Sequence, residues 1–198
     1  MKRIIFLTVF LLISLASFAQ TPTEHLTFKG VPIDGTLSEF VTKMKNAGFS
    51  HIGTEDGVAL LNGDFAGYQD CTIGIKTIKK KDIVHEIAVL LPKQNTWQGL
   101  YFDYYKLKSM LSEKYGAPNN CREKFVNTPS YRNLKDDNDK MKEVEDNHCE
   151  YYSIFNITNG IITLAIENDG ILYGCRIKLW YSDKINQKAT IEAAMDDL

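Results

Sequence analysis

Residues 151–181 read YYSIFNITNG IITLAIENDG ILYGCRIKLW Y, and this stretch decides the fold. It contains three runs that are rich in β-branched and aromatic residues, at 151–157, 161–166 and 172–181. Between the runs lie two dipeptides that favour two-residue hairpin turns, Asn159-Gly160 and Asp169-Gly170. The stretch therefore predicts three consecutive antiparallel strands near the end of the chain.

A similar pattern of three extended runs occurs earlier in the chain, at 58–65, 71–78 and 84–91. In the second of these runs, Cys71, Ile73 and Ile75 alternate with polar or small residues. Such a period of two is typical of a sheet that is covered on one face and open on the other. Each set of three strands should thus belong to a one-sided antiparallel sheet.

An amphipathic helix should precede each set of strands. The first helix begins after the N-cap Thr36, with Glu39 as its capping-box partner, and Gly48 is placed to end it. Asn95 or Thr96 caps the second helix, and glycine followed by proline ends it at 116–118. The apolar positions have helical spacing, so we expect one buried face on each helix. This buried set includes Phe40, Met44, Leu107 and Leu111.

These elements predict an α+β fold built from two tandem helix-plus-antiparallel-sheet repeats, at 20–93 and 94–198, that form one compact domain. Both helices should pack on the same face of the sheet. The polar segment 127–147 interrupts the second repeat and is interpreted as a long, mobile, charged insertion. A short closing helix should begin near Asn186.

The first 19 residues have the pattern of a cleavable secretory signal. Lys2 and Arg3 precede an apolar run at 4–15, and small residues lead to a cleavage position after Ala19. The run is too short for a membrane span, and no cysteine near it could receive a lipid. We therefore expect a periplasmic or secreted protein with no membrane insertion in its mature form.

Charge and cysteine content fit this location. The formal net charge of the chain is −2 at pH 7, and loss of Lys2 and Arg3 would make it two charges more negative, which argues against a nucleic-acid partner. Four cysteines in an oxidising compartment favour disulfides. We expect Cys121 to pair with Cys149 at the base of the insertion, and Cys71 to pair with Cys175 by elimination. Buried free thiols are the alternative.

A search for catalytic and metal-binding motifs leads to neither. The four histidines have no spacing that would bring two rings to one metal ion. The acidic cluster at 136–139 has no glycine where a calcium-binding loop requires one. We therefore expect no catalytic residue, no metal and no cofactor. The alternative is a hydrolase whose site is assembled from residues scattered in the sequence.

The last predicted strand offers a candidate for partner binding. If Cys175, Ile177 and Leu179 face the helices, then Arg176, Lys178 and Trp180 share the opposite face. An exposed tryptophan beside an arginine is a common composition of interaction hot spots, although a solvated face with one aromatic residue has the same pattern. The second helix also carries Tyr101, Phe102 and Tyr105 away from its apolar stripe, either for a second packing surface or for a partner.

Two short segments carry a resemblance to known proteins, Lys114-Tyr115-Gly116-Ala117-Pro118 and Tyr181-Ser182-Asp183-Lys184-Ile185-Asn186. With the tandem helix-plus-sheet plan, they resemble a group of uncharacterised exported bacterial proteins. In architecture the chain is similar to the β-lactamase-inhibitor-like repeat fold. This resemblance implies that the open face of the sheet binds another protein, such as an envelope or secreted one, and it assigns no functional residue.

Overall fold

The computed structural model describes residues 24–78, 81–168, 170 and 174–195. The predicted signal at 1–19, residue 169 of the second predicted turn and residues 172–173 of the predicted strand 172–181 lie outside these residues. The helices are α1 (Leu37–Asn46), α2 (Trp97–Tyr115), α3 (Asp137–Glu145) and α4 (Lys184–Met195). The strands are β1 (Thr27–Phe28), β2 (Val31–Pro32), β3 (Ser50–Glu55), β4 (Val58–Phe65), β5 (Tyr68–Ile78), β6 (Ile83–Leu90), β7 (Asn120–Phe125), β8 (Cys149–Ile157), β9 (Gly160–Asn168) and β10 (Cys175–Asp183). The predicted α+β class is confirmed.

Eight strands form one antiparallel sheet with the order β3-β4-β5-β6-β10-β9-β8-β7, and β1 pairs with β2 in a separate two-stranded unit. Two meanders of four strands therefore meet where β6 pairs with β10. One meander follows α1 and the other follows α2. The three strands predicted for each half are present, but each half also has an edge strand that the pattern did not predict, β3 or β7.

The predicted helix signals match the local geometry. Thr36 caps α1 and forms the full capping box with Glu39, and Gly48 follows the helix with a φ of 94°. Thr96 is the N-cap of α2, and Gly116 ends that helix. The predicted buried residues lie in one core beneath the sheet, each at most 7 % exposed: Phe40, Met44, Leu107 and Leu111.

The charged segment 127–147 differs from the mobile loop that we predicted, because part of it forms α3. Asp136 caps this helix by accepting hydrogen bonds from the backbone N–H groups of Asn138 and Asp139. Val144, which is 1 % exposed, joins the hydrophobic core. Two apolar contacts with the core, from Val144 and the partly buried Met141, and a good cap hold a helix that is otherwise polar.

A buried carboxylate joins the N-terminal segment to the centre of the sheet. Asp183 is fully buried at the end of β10 and accepts hydrogen bonds from the backbone N–H of Leu26 at 2.7 Å and of Asn186 at 2.8 Å. One Asp183 oxygen also lies 3.1 Å from the His25 ring. The Asn186 amide in turn donates to the carbonyls of Ile33 and Val84. We call these contacts the Asp183 junction.

Neither predicted disulfide is present, and all four cysteines are unbridged. Cys121 lies opposite Ser153, whereas Cys149 lies opposite Phe125. The two cysteines are thus four positions apart along the strands, about 13 Å, and a bridge needs Cα atoms within about 7 Å. Strand β6 lies between β5 and β10, which separates Cys71 from Cys175 by about 10 Å or more.

The Asp183 junction yields a prediction about stability. Replacement Asp183→Ala removes the acceptor of two buried N–H groups and should lower the free energy of unfolding by about 2 to 5 kcal/mol. The matched control is Asp136→Ala, which removes the exposed N-cap aspartate of α3 and should cost only about 1 kcal/mol. Urea denaturation of both variants measures the difference. Equal losses would show that the junction contributes nothing beyond an ordinary helix cap.

The cysteines yield a second prediction. Burial raises the pKa of Cys149 to about 12 and that of Cys175 to about 11, and it also raises the pKa of Cys71. Because only the thiolate reacts, these three thiols should resist alkylation in the folded protein. Exposed Cys121 should be modified first, without any reductant. Peptide mapping after timed iodoacetamide treatment measures this order, and a peptide that links Cys121 to Cys149 would contradict the register of β7 and β8.

Candidate partner-binding face

The alternation of β10 places Arg176, Lys178 and Trp180 on one side of the sheet. The residues between them, Ile177 and Leu179, are fully buried in the core on the helix side. Successive side chains of a strand point to opposite faces, so the three predicted binding residues lie on the face away from α1, α2 and α3. We call this the helix-free face, because none of these three helices packs on it. Trp180 on it is partly buried.

A row of apolar and small residues crosses the helix-free face at the level of Trp180. On β10, Trp180 lies opposite Ala88 of β6 and opposite Thr163 of β9. The strand register extends this row outward through further cross-strand pairs on both sides. Its members, the central stripe, are Leu60, Gly74, Ala88, Trp180, Thr163 and Ile154. The stripe spans six strands, about 24 Å at about 4.8 Å between neighbouring strands.

Contacts around Gly74 confirm that the central stripe shares one side of the sheet. A Cβ atom built on Gly74 would lie 3.7 Å from Ala88 Cβ and 3.9 Å from Leu60 Cδ2. Leu60 is 42 % exposed, which is high for a leucine within a strand of a sheet. Both direct cross-strand neighbours of Trp180, Ala88 and Thr163, are small. The stripe is therefore an apolar row in which Leu60 is exposed, Trp180 at the centre is partly buried and the residues between them are small.

Charged pairs border the central stripe on both sides. Towards one end of the strands, Lys76 Nζ lies 2.6 Å from Glu86 Oε1, and the Ser182 hydroxyl donates to Glu86 at 3.2 Å. The opposite border contains the pair Lys178–Glu167 at 3.2 Å and the pair Arg122–Glu150 at 2.5 Å. An apolar centre with a polar border is the usual anatomy of a protein interface.

A shallow groove of about 300 Å³ runs beside Trp180 on the helix-free face. Its lining includes two carboxylates, Glu150 and Glu167. Both carboxylates have cationic partners, in Arg122 and Lys178 respectively. A pair of acids that acts in hydrolysis needs one member free to give or take a proton. Both carboxylates of the groove are thus engaged in ion pairs.

The aromatic residues of α2 divide between two roles. Tyr105 is covered by the edge of the sheet, where its hydroxyl donates to Glu123 at 2.8 Å. Tyr101 and Phe102 remain 44 % and 66 % exposed. The Tyr101 ring packs against that of Tyr105 with centroids 4.5 Å apart. The helix is therefore covered on a second side, as one of the two sequence interpretations expected, and only part of its aromatic excess faces solvent.

One cluster has the composition of a metal site. Ligand atoms of Glu143, Asp146 and His148 lie within 4.8 Å of one another. The guanidinium of Arg132 already lies among them, 3.3 Å from Glu143 Oε1 and 2.7 Å from Asp146 Oδ2. This arginine supplies the positive charge that a buried glutamate requires. The cluster is a packed ion network at the end of α3.

Sequence reasoning found Trp180 and its two cationic neighbours but missed the rest of the central stripe. Alternation within a strand indicates which residues share a face, so the face on which Leu60 and Ile154 lie could have been predicted from the sequence. Which residues stand side by side depends on the register between strands, and Leu60 lies on β4, three strands away from Trp180. The stripe became visible only when the register was known.

Among the described residues, no helix is both long and apolar enough to cross a membrane. A comparison with models of protein families, with curated proteins and with solved structures finds no match for the chain.

Proposed function

We propose that this chain is an exported, non-enzymatic protein of the periplasm or the surrounding medium, and that it binds another envelope or secreted protein through its helix-free face. The observation that carries the proposal is the central stripe, an apolar row across six strands with Trp180 at its middle and ion pairs on both borders. Tryptophan and arginine are the residues most enriched where binding energy concentrates. Arg176 and Lys178 lie on the same strand and face as Trp180.

The size of the face supports a protein as the partner. Eight strands at about 4.8 Å spacing and about 8 residues in length give a face of about 900 Å². Stable protein interfaces bury about 800 Å² on each partner. A small ligand would cover only the groove beside Trp180, whereas a protein can also reach the bordering pairs.

The order of helices and strands along the chain supports the interpretation that the sheet is built from two tandem repeats. Each half consists of a helix that precedes a four-stranded meander, and the two meanders meet in opposite strand order at β6 and β10. Stacking two such units side by side makes one wide sheet with its helices on one side. The β-lactamase-inhibitor-like resemblance implies the same use of the open face, as a surface for another protein.

Site-specific photo-crosslinking tests this proposal. With p-benzoylphenylalanine in place of Thr163, irradiation of the producing cells should yield one adduct with an envelope or secreted protein, because Thr163 is the direct neighbour of Trp180. Adding Trp180→Ala should reduce the adduct at least about 30-fold, since hot-spot truncations cost about 2 kcal/mol or more. Mass spectrometry of the adduct identifies the partner.

Two controls belong to this experiment. The same crosslinker at exposed Ser109 on α2 should give no such adduct, and Phe102→Ala, which truncates an exposed aromatic residue on α2, should leave the Thr163 adduct unchanged. Because Trp180 is partly buried, circular dichroism melting verifies that Trp180→Ala is folded at the temperature of the crosslinking experiment. An adduct that survives Trp180→Ala, or one that consists only of a second copy of this chain, would contradict the proposal.

A further inference from the structure

A cavity of about 270 Å³ opens on the helix side of the sheet, opposite the helix-free face. Its floor is a cluster of three rings, in which Phe28 stacks on Phe65 at 5.6 Å and meets Tyr181 edge-on at 5.3 Å. One wall is the C-terminal half of α2, through Leu107, Met110 and Leu111. The opposite side is formed by the turn between β1 and β2. We call this cavity the aromatic cleft.

The polar side chains of the aromatic cleft share one chemical property, because each can donate a hydrogen bond. They are Thr27, Lys29, Lys114, Tyr115 and Tyr181. Both lysines are exposed, and no carboxylate belongs to the lining. Within the part of the chain that the structure describes, neither ammonium has a carboxylate partner. Lys29 lies 5.9 Å from the Phe49 ring and Lys114 lies 5.0 Å from the Tyr115 ring.

The Tyr181 hydroxyl is a donor without an acceptor. Tyr181 is 6 % exposed and lines the cleft, and its hydroxyl makes no hydrogen bond to any other described residue. Burial raises the pKa of this phenol far above its usual value, so it keeps its proton. The hydroxyl is not one of the fully buried unpaired atoms of the described residues, so it opens into the cleft and can donate to a group held there. An acceptor atom brought by a ligand would satisfy it.

We propose that the aromatic cleft binds a medium-chain carboxylate of about eight to ten carbons. The apolar floor and wall favour an apolar body, and the two lysines with the Tyr181 hydroxyl favour an anionic acceptor group at the mouth of the cleft. The length follows from the volume, since 270 Å³ holds about nine groups of the size of a water molecule at about 30 Å³ each. This site is independent of the proposed partner-binding face.

Isothermal titration of the full exported chain with sodium decanoate tests the proposal. We expect saturable binding of one decanoate per chain. The double replacement Lys29→Gln with Lys114→Gln should weaken decanoate binding about 10-fold or more, because two charge-assisted contacts are lost. Tyr181→Phe, which removes only the hydroxyl, should weaken it about 3- to 10-fold. Decanol has the same chain without the charge and should bind the parent and the double variant equally.

The matched control is Lys45→Gln with Lys106→Gln, which removes two exposed helix lysines outside the cleft and should leave decanoate binding unchanged. Circular dichroism melting verifies that every variant is folded. Absence of decanoate binding to the parent protein would overturn the proposal. So would equal binding of decanoate by the parent and the cleft double variant, or binding of decanol as tight as that of decanoate. Tighter binding of decyl sulfate would overturn the assignment of a carboxylate head group.

Discussion

The buried carboxylate of Asp183 is the constraint on which the arrangement of the molecule depends. It lies at the end of β10, a central strand, and accepts hydrogen bonds from the segment before β1 and from the first turn of α4. A fully buried aspartate is tolerated only when its oxygens are occupied by donors. This requirement fixes three chain segments at one point, and Asn186 extends the connection to Ile33 and to Val84 of β6. The segment 181–186 is one of the two motifs on which the resemblance was based. Its role in this structure is to hold these chain segments together.

Because successive side chains of β10 point to opposite faces of the sheet, this one strand contributes residues to two different surfaces. Leu179 and Tyr181 face the helices and line the aromatic cleft, while Lys178 and Trp180 face the other way. Helices α1, α2 and α3 shield one face of the sheet, and the strands contribute most of the core residues. On the helix-free face, the apolar residues form only the narrow central stripe, and ion pairs lie along both of its borders. Such an arrangement limits nonspecific association of an exposed apolar row.

Sequence patterns predicted the elements with strong local signals and missed those held by the tertiary structure. The capping box of Thr36 and Glu39 located α1 because the motif is complete within four residues. Edge strands β3 and β7 read SHIGTE and NCREKF, and neither has the alternation of a half-buried strand. They form because the neighbouring strand offers free backbone groups. Helix α3 was missed for a similar reason, since its stability depends on the contact of Val144 with the core.

The disulfide predictions and the central stripe show the same limit of prediction from sequence patterns. Both depend on which residues face each other across strands, and a shift of register changes every such pair while the pattern within each strand stays the same. Cys121 and Cys149 lie on neighbouring strands, as expected from their places in the chain, yet four positions separate them. Conversely, Leu60 and Trp180 are 120 residues apart and stand in one row because three ladders of hydrogen bonds keep the register between them. Periodicity in the sequence thus determines the face of a residue, whereas its neighbours across strands are determined by the assembled sheet.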